Sequence, residues 1–123
     1  MFEQAYKIET FKSNLSALED GDHMFYYCYN LTKFDADLSS LIKAHWMFKD
    51  CHDLKTFKSN LSSLKDGHYM FDSCYEFTTF SIDLSSLEKG FCMFGNCENL
   101  VIFSSNLDSL TYAPNMFKNC SKL

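Results

Sequence analysis

The residues of this sequence best suited to chemistry are its cysteines and histidines. The 123 residues include six cysteines and four histidines. Ala5 stands where the 23-residue spacing of the cysteines would place another. That substitution marks a position for a small apolar side chain, so we expect buried, unpaired thiols. Disulfides between adjacent units remain an alternative, and a Cys₄ metal site is disfavoured because C-x₂-C pairs are absent. The spaced cysteines are Cys28, Cys51, Cys74, Cys97 and Cys120.

The sixth cysteine and the histidines lie outside that column. We predict that Cys92 is the more exposed and reactive thiol. His45 and His68 are 23 residues apart and are expected to stack as neighbours. Since no carboxylate or cysteine joins them by pattern, we predict no metal site and no cofactor. The recurring L-S-S-L serines belong to the repeat and do not indicate a nucleophile, so we predict no catalytic residues and a protein that is not an enzyme.

Composition excludes several classes of protein. The chain is 46% hydrophobic and 22% charged, which is typical of a globular domain. Its net charge of −5 argues against a nucleic-acid partner. We predict no membrane span, because no apolar run approaches the roughly 18 to 20 residues that a span requires.

The organisation of the chain is a 23-residue repeat. The motif M-F-x-x-C-x-x-L-x-x-F-x-x-[DN]-L-S-S-L-x-x-G-x-x recurs without insertion. Positions are counted below from the Met of each unit. We predict one solenoid domain over residues 1–123, made of the units 1–23, 24–46, 47–69, 70–92 and 93–115 and a partial sixth unit, 116–123. The methionines are Met1, Met24, Met47, Met70, Met93 and Met116.

One unit cannot bury its own apolar side chains, so successive units must stack on a shared core. We predict a strand over positions 9 to 14, with position 13 facing inward with the large residues around it. Asn or Asp at position 14 then begins a capped helical turn, which ends at the small residue of position 21. The M-F-x-x-C segment is expected to form a second bend or short helix.

Charges alternate between units at two positions. Position 20 alternates between Asp and Lys, and so do the first three units at position 12. Stacked parallel strands place equivalent residues about 4.8 Å apart, where alternating charges attract. Ladder pairing explains this alternation, and duplication of a two-unit block is the alternative.

The run Met47-Phe48-x-x-Cys51-x-x-Leu54-x-x-Phe57, with Gly67 before the next Met-Phe, resembles the BspA-like leucine-rich repeats of bacterial surface proteins. The resemblance covers essentially the whole chain. It implies a right-handed repeat solenoid with one short parallel strand per unit and short helical or 3₁₀ turns on the other side. It also implies an extracellular or cell-surface location and a role in adhesion or protein binding.

Two sets of side chains are candidates for ligand binding. The first is a group of aromatic residues outside the core columns, although such rings could instead merely cover the edge of the core. The second is a set of polar residues on the predicted strand surface, suited to a protein or a glycan. The aromatic candidates are Tyr26, Tyr27, Tyr29, Trp46, His52, Tyr69 and Tyr75, and the polar candidates are Lys33, Asp35, Asp37 and Lys58.

The ends of the sequence suggest a second functional class. Repeat arrays need polar caps, yet the first unit begins at the repeat Met-Phe and the last residue is the core-type Leu123. We therefore expect a segment of a longer array, or end-to-end self-association. The leading hypothesis is a non-enzymatic module for extracellular protein binding or adhesion, and the alternative is a structural array that builds a stalk or filament.

Overall fold

The computed structural model describes residue 2 and residues 5–123, which form short parallel strands joined by turns. Each strand contains the Phe of position 11, and Phe34 of β2 lies opposite Phe11 and Phe57 in the ladder. Partners are therefore 23 residues apart, which confirms the predicted solenoid with one parallel strand per unit. The strands are β1 (Thr10–Lys12), β2 (Lys33–Asp35), β3 (Thr56–Lys58), β4 (Thr79–Phe80) and β5 (Ile102–Phe103).

The strands are shorter than the predicted positions 9 to 14. They end at position 12 or 11, and the next turn begins at position 14, whose side chain accepts a hydrogen bond from the backbone amide two residues ahead, as in the 3.0 Å bond from the Ser16 amide to Asn14 Oδ1. The inward direction of position 13 agrees with the structure at Ala36, which is 5% exposed, and at Ile82, which packs on the core.

The predicted helical and 3₁₀ turns are single hydrogen-bonded turns, and the described residues contain no helix. At positions 15 to 18 one bond of 3.0 Å, from the Leu18 amide to the Leu15 carbonyl, closes the turn. In the M-F-x-x-C segment, residues at positions 23 and 4 have a left-handed backbone, with φ of 60° at His23 and 62° at Tyr27. A left-handed residue interrupts a right-handed helix, so the M-F-x-x-C segment does not continue beyond one turn.

The core consists of the repeated Met, Phe, Leu and Cys columns. Equivalent side chains of the inner units are almost fully buried and stack directly, with the rings of Phe25 and Phe48 5.2 Å apart and 1° from parallel. The predicted Met column is buried from Met24 to Met116, and Met1 lies outside the described residues.

The small residue of position 21 has a different role from the predicted helix stop. All four glycines lie in the described part of the chain, and none has a positive φ. A Cβ at Gly21 would lie 2.7 Å from Met47 Sδ, and one at Gly67 would lie 3.1 Å from Met93 Sδ. Position 21 is therefore small because the methionine 26 residues later packs against its backbone.

The alternating charges do lie in ladders. Lys12, Asp35 and Lys58 occupy successive registered positions in β1 to β3. Isolated parallel bridges also join Asp20, Lys43, Asp66 and Lys89 in order. These positions confirm that the alternating residues are stacked in register, although the closest ion pair of Lys43 is with Asp22, at 2.7 Å.

The sheet divides between β3 and β4. At this junction the aliphatic column of position 8 contains Phe77, whose ring lies 6.5 Å from Phe57 and 6.4 Å from Phe80. Phe34 and Phe57, across an intact junction, stack at 5.2 Å. We infer that the larger side chain of Phe77 takes up space that leucine leaves free at the intact junctions, and that this keeps β3 and β4 from pairing.

Phe77→Leu should rejoin the two sheets, because leucine fills position 8 where β2 pairs with β3. Hydrogen exchange followed by NMR should show the Thr79 amide exchanging roughly fivefold more slowly, the effect of gaining one backbone hydrogen bond of about 1 kcal/mol.

Leu54→Phe is the matched control, since it places the larger ring at an intact junction. It should speed exchange at Thr56, whose amide donates to the Thr32 carbonyl at 3.1 Å. Unchanged exchange in both variants would show that Phe77 does not divide the sheet.

Candidate functional site

The predicted aromatic residues lie together on the turn side of the repeat. Along position 6 the rings of Tyr6, Tyr29, His52 and Tyr75 follow one another at centroid distances of 5.3, 4.9 and 4.8 Å. The Tyr6 and Tyr29 rings are 7° from parallel, so their faces cover each other. Position 6 therefore presents a file of ring edges and polar ring atoms.

A second group of rings adjoins this file. Trp46 packs at 4.8 Å from His23, 5.8 Å from Tyr26 and 6.0 Å from Tyr69. Tyr27 joins the group to the file, at 4.4 Å from Tyr26 and 5.2 Å from Tyr29. We call the whole set the aromatic surface. Its members are Tyr6, His23, Tyr26, Tyr27, Tyr29, Trp46, His52, Tyr69 and Tyr75.

The backbone holds the aromatic surface in place. Tyr27, Trp46 and Tyr69 all have left-handed φ angles, between 56° and 62°. The segment carrying them is hydrogen-bonded to the next unit, for example from the Tyr27 amide to the Lys49 carbonyl at 3.0 Å. Because this conformation recurs in every unit that the structure describes, it belongs to the fold, and the rings are displayed on fixed backbone.

The phenols of the aromatic surface are partly desolvated. Burial raises the pKa of Tyr26 to about 12, with a further contribution from its hydrogen bond with Tyr27. Burial also raises the pKa of Tyr29 and of Tyr69. These phenols therefore stay protonated at neutral pH and can donate hydrogen bonds to a partner.

An ion pair between a partly exposed lysine and a buried aspartate supports one edge of the aromatic surface. The ammonium of Lys49 donates to the carboxylate of Asp72, which is 4% exposed and also accepts a 3.0 Å bond from Asn96. Lys49 lies 5.7 Å from the centroid of the Tyr69 ring, within range of a cation–π contact. Burial lowers the pKa of Lys49, but the hydrogen bond and charge of Asp72 outweigh it and raise the pKa overall. This pair was not anticipated from the sequence, because the position of Asp72 varies widely, being Glu3, Tyr26, Lys49, Gly95 and Lys118 in the other units.

The polar candidates lie on the strand surface, apart from the aromatic surface. Lys33 and Asp35 flank the inward Phe34 on β2 and are exposed. Asp35, Asp37 and Lys58 line a shallow groove together with Ala36, Ser59 and Asn60. The two candidate sets therefore form two separate surfaces.

A second groove opens on the strand side at the division of the sheet. It is lined by residues on both sides of that division, from the units of β3 and β4. Ser59 Oγ, which borders both grooves, is buried and has no hydrogen-bond partner. The lining residues are Ser59, Asn60, Leu61, Ser62, Ser81, Ile82 and Asp83.

The cysteine column consists of free thiols, buried from Cys28 to Cys97. Each thiol donates to a carbonyl of the preceding unit, as from Cys51 Sγ to the Phe25 oxygen at 3.2 Å. Burial raises the pKa of Cys51 and Cys74 well above the ordinary thiol value, which leaves the thiols protonated and unreactive.

The prediction of an exposed Cys92 is wrong, since this residue is 9% exposed. At the same position Trp46 and Tyr69 carry long side chains that reach the surface. The Cys92 side chain is short and remains within hydrogen-bonding reach of the phenol of Tyr69, whose pKa it helps to raise.

His45 and His68 stack as predicted, with ring centroids 5.0 Å apart and planes 14° from parallel. The expectation that no carboxylate joins them is wrong. Asp66 Oδ1 lies 2.9 Å from His45 Nε2 and 3.3 Å from His68 Nδ1. The clue in the sequence is the D-x-H spacing of Asp66 and His68, which places both on one unit beside the imidazole of the unit before.

Burial and neighbouring charges have opposing effects on the pKa values of the groups around the histidine pair. Burial lowers the pKa of His68, an effect opposed by Asp66 and reinforced by His45 and Lys89. Burial raises the pKa of Asp22, but hydrogen bonds from Lys43 and from the His45 amide outweigh it and lower the pKa overall.

Residues 18–123 match six copies of the family model described as the BspA type leucine rich repeat region. This chain belongs to that family. A BspA-type repeat thus accounts for the strand, the buried columns and the turn that carries the aromatic surface. A search of curated proteins finds no match.

The same fold occurs in a crystal structure of a leucine-rich repeat protein from Bacteroides ovatus, with a TM-score of 0.65 and 21% sequence identity. The comparison covers 98% of this BspA-type chain and 38% of that protein, so the chain spans well under half the length of its relative. In the part of the chain that the structure describes, no helix has the length and hydrophobicity to span a membrane.

Asp72→Ala should destabilise this repeat by about 1 to 3 kcal/mol, because it removes the closest partner of the partly buried Lys49 ammonium and the acceptor of the Asn96 amide, and leaves Lys49 only Asp50, at 3.7 Å. Denaturant unfolding gives the free energy of unfolding directly. Asp53→Ala, at an exposed carboxylate, is the control and should change it by less than about 0.5 kcal/mol. Similar losses of stability in both variants would mean that the Lys49–Asp72 pair contributes no more to the free energy of unfolding than an exposed surface charge does.

Proposed function

We propose that this BspA-type chain is a non-enzymatic module that binds a protein outside the cell through its aromatic surface. The observation that carries the proposal is the continuous contact of rings from Tyr6 to Tyr75 and from His23 to Tyr69. Aromatic side chains with a polar tip supply large contact area at low cost in conformational entropy, and they dominate the binding energy of many protein interfaces.

The exposure of the rings supports this use. Trp46 is 37% exposed and Tyr6 is 46% exposed, although both have large aromatic side chains whose burial against a partner would be favourable in free energy. Because the rings pack on one another and their backbone is fixed, little ordering is needed when a partner binds.

The arrangement of the rings favours a protein over a glycan. A sugar ring packs on an open aromatic face, whereas the faces of the position-6 rings are covered by their neighbours, with Tyr6 and Tyr29 7° from parallel and His52 and Tyr75 28° from parallel. The file presents edges and hydroxyl groups, which match the mixed apolar and polar surface of a protein.

The strand surface is the weaker candidate. Its charges alternate in register from Lys12 to Asp35 to Lys58, so neighbouring charges neutralise one another and give little long-range attraction. Its grooves are shallow, and short polar side chains of serine, asparagine and aspartate make up most of their lining.

Family membership supports the location and the absence of catalysis. BspA-type repeats are typically associated with the cell surface, and leucine-rich repeats are generally non-enzymatic. We therefore place the proposed binding function in the extracellular space or on the cell surface.

The test is the adhesion of beads carrying the purified chain to surfaces coated with a panel of extracellular proteins and, separately, of glycans. Tyr29→Ser, Trp46→Ser and Tyr75→Ser together should reduce adhesion to a protein surface at least tenfold, the loss of about 1.4 kcal/mol expected on removing an interface anchor. Far-UV circular dichroism and thermal unfolding verify that the triple variant remains folded.

Lys33→Ala, Asp35→Ala and Lys58→Ala together form the matched control on the strand surface and should leave adhesion unchanged. Loss of adhesion in this set alone would move the site to the strand surface. Adhesion to glycan surfaces alone, or to none, would contradict the proposal.

The alternative function, a structural array that assembles end to end, remains a prediction. Electron microscopy of the same preparation tests it, since fibres that lengthen with concentration would support assembly and dispersed single particles would contradict it.

A further inference from the structure

We propose that His45, Asp66 and His68 form a binding site for a divalent transition-metal ion such as zinc. The three residues come from two adjacent units, since His45 belongs to the second and both Asp66 and His68 belong to the third. Stacking of the repeat brings the two imidazoles together, and the position-20 ladder brings the carboxylate to them.

The spacing of the donor atoms fits such an ion. Each residue offers one ligand atom, and all three atoms lie within 4.8 Å of one another. Around a tetrahedral ion with bonds of about 2.1 Å, donor atoms lie roughly 3.4 Å apart. The distances from Asp66 Oδ1 to His45 Nε2 and to His68 Nδ1, 2.9 and 3.3 Å, are already near that value.

Two of these atoms lack a hydrogen-bond partner. His45 Nε2 and Asp66 Oδ1 are both buried at the atomic level, and although they are 2.9 Å apart no hydrogen bond of acceptable geometry joins them. Buried polar atoms are rarely left in this state, because each then loses its hydration without compensation. An ion between them would satisfy both.

Some groups around the three ligands favour a bound cation and others oppose it. Asp22 Oδ2 lies 4.0 Å from His45 Nδ1, on the side of the ring away from Asp66, where carboxylates commonly support metal-binding imidazoles. His68 Nδ1 accepts a 3.2 Å bond from the Phe91 amide, which an ion at that nitrogen would replace. Lys43 and Lys89 flank Asp66 in the ladder and reduce the attraction for a cation.

The donor set selects the kind of ion. Two imidazole nitrogens and one carboxylate oxygen suit zinc, cobalt, nickel or copper, whereas calcium and magnesium prefer oxygen ligands throughout. The side chains of His45, Asp66 and His68 are 28%, 23% and 25% exposed, so an ion can enter from solvent. Water or a partner side chain would complete its coordination.

The experiment is equilibrium dialysis of the untagged chain against Zn²⁺, with the bound metal measured by mass spectrometry and thermal unfolding measured in parallel. We expect one ion per chain and a raised melting temperature. Mg²⁺ and Ca²⁺ should bind at least a hundredfold more weakly. No zinc binding, or equal binding of Mg²⁺, would overturn the proposal.

Variants assign the ion to these residues. Asp66→Asn and, separately, His45→Gln should each weaken binding at least tenfold, whereas His52→Gln, which removes a histidine of the aromatic surface, should leave it unchanged. Equal loss in His52→Gln would indicate non-specific binding and overturn the assignment.

The cysteines are a competing source of ligands, and Co²⁺ distinguishes them. The proposed nitrogen and oxygen donors give visible d–d absorption without the intense near-ultraviolet charge-transfer band of a cobalt thiolate. That band, together with unchanged binding in Asp66→Asn, would place the ion on the cysteines and overturn the proposal.

Discussion

The structure depends on the hydrogen bonding of each unit's backbone to the equivalent backbone of the next unit. These bonds occur along the strands, as from the Thr32 amide to the Glu9 carbonyl at 2.8 Å, and through the turn, as from the Phe25 amide to the Met47 carbonyl at 2.9 Å. Because they fix the distance between units, any side chain must fit against its own counterpart 23 residues away. The flat rings of Phe, the unbranched thioethers of Met, the small thiols of Cys and the side chains of Leu satisfy this condition, and they form the core.

The same constraint governs the outside of the molecule. Even at a position whose residue type varies between units, the side chains of successive units are neighbours in a row. The chemistry of the surface therefore depends on which residue types occupy that position in adjacent units. Tyr29, His52 and Tyr75 form a ring stack, and Lys43 and Asp66 form an alternating ladder. His45 and His68, brought face to face in this way, are joined by a carboxylate from the ladder beside them. The aromatic surface and the histidine cluster are thus both consequences of stacking.

Much of this could be predicted from the sequence, because a strict period converts positions along the chain into neighbours in space. The parallel strands, the buried columns, the charge ladders and the stacking of His45 on His68 all follow from that period. What it could not supply are contacts between different positions. Asp66, at position 20 of one unit, contacts His45, at position 22 of the unit before. Asp72 pairs with Lys49 only because position 3, which varies between units, is lysine in one unit and aspartate in the next. Helices were expected in the turns because the left-handed positions, such as those of Trp46 and Cys92, are not occupied by glycine, the residue that would have indicated them in the sequence. We attribute the division of the sheet to the volume of one side chain, Phe77, in a column that is apolar throughout and so gives no sign of it in the sequence.

The central claim, that equivalent side chains of adjacent units pack directly on each other, is tested most directly by a double-mutant cycle on Phe25 and Phe48, changing each to leucine. Their rings stack 5.2 Å apart, so the free energies of unfolding should show a coupling of about 0.5 to 1.5 kcal/mol. Phe25 and Phe94 occupy the same position three units apart, and their effects should add to within about 0.5 kcal/mol. Additive effects for Phe25 and Phe48 as well, with no more coupling than the distant pair, would contradict the account.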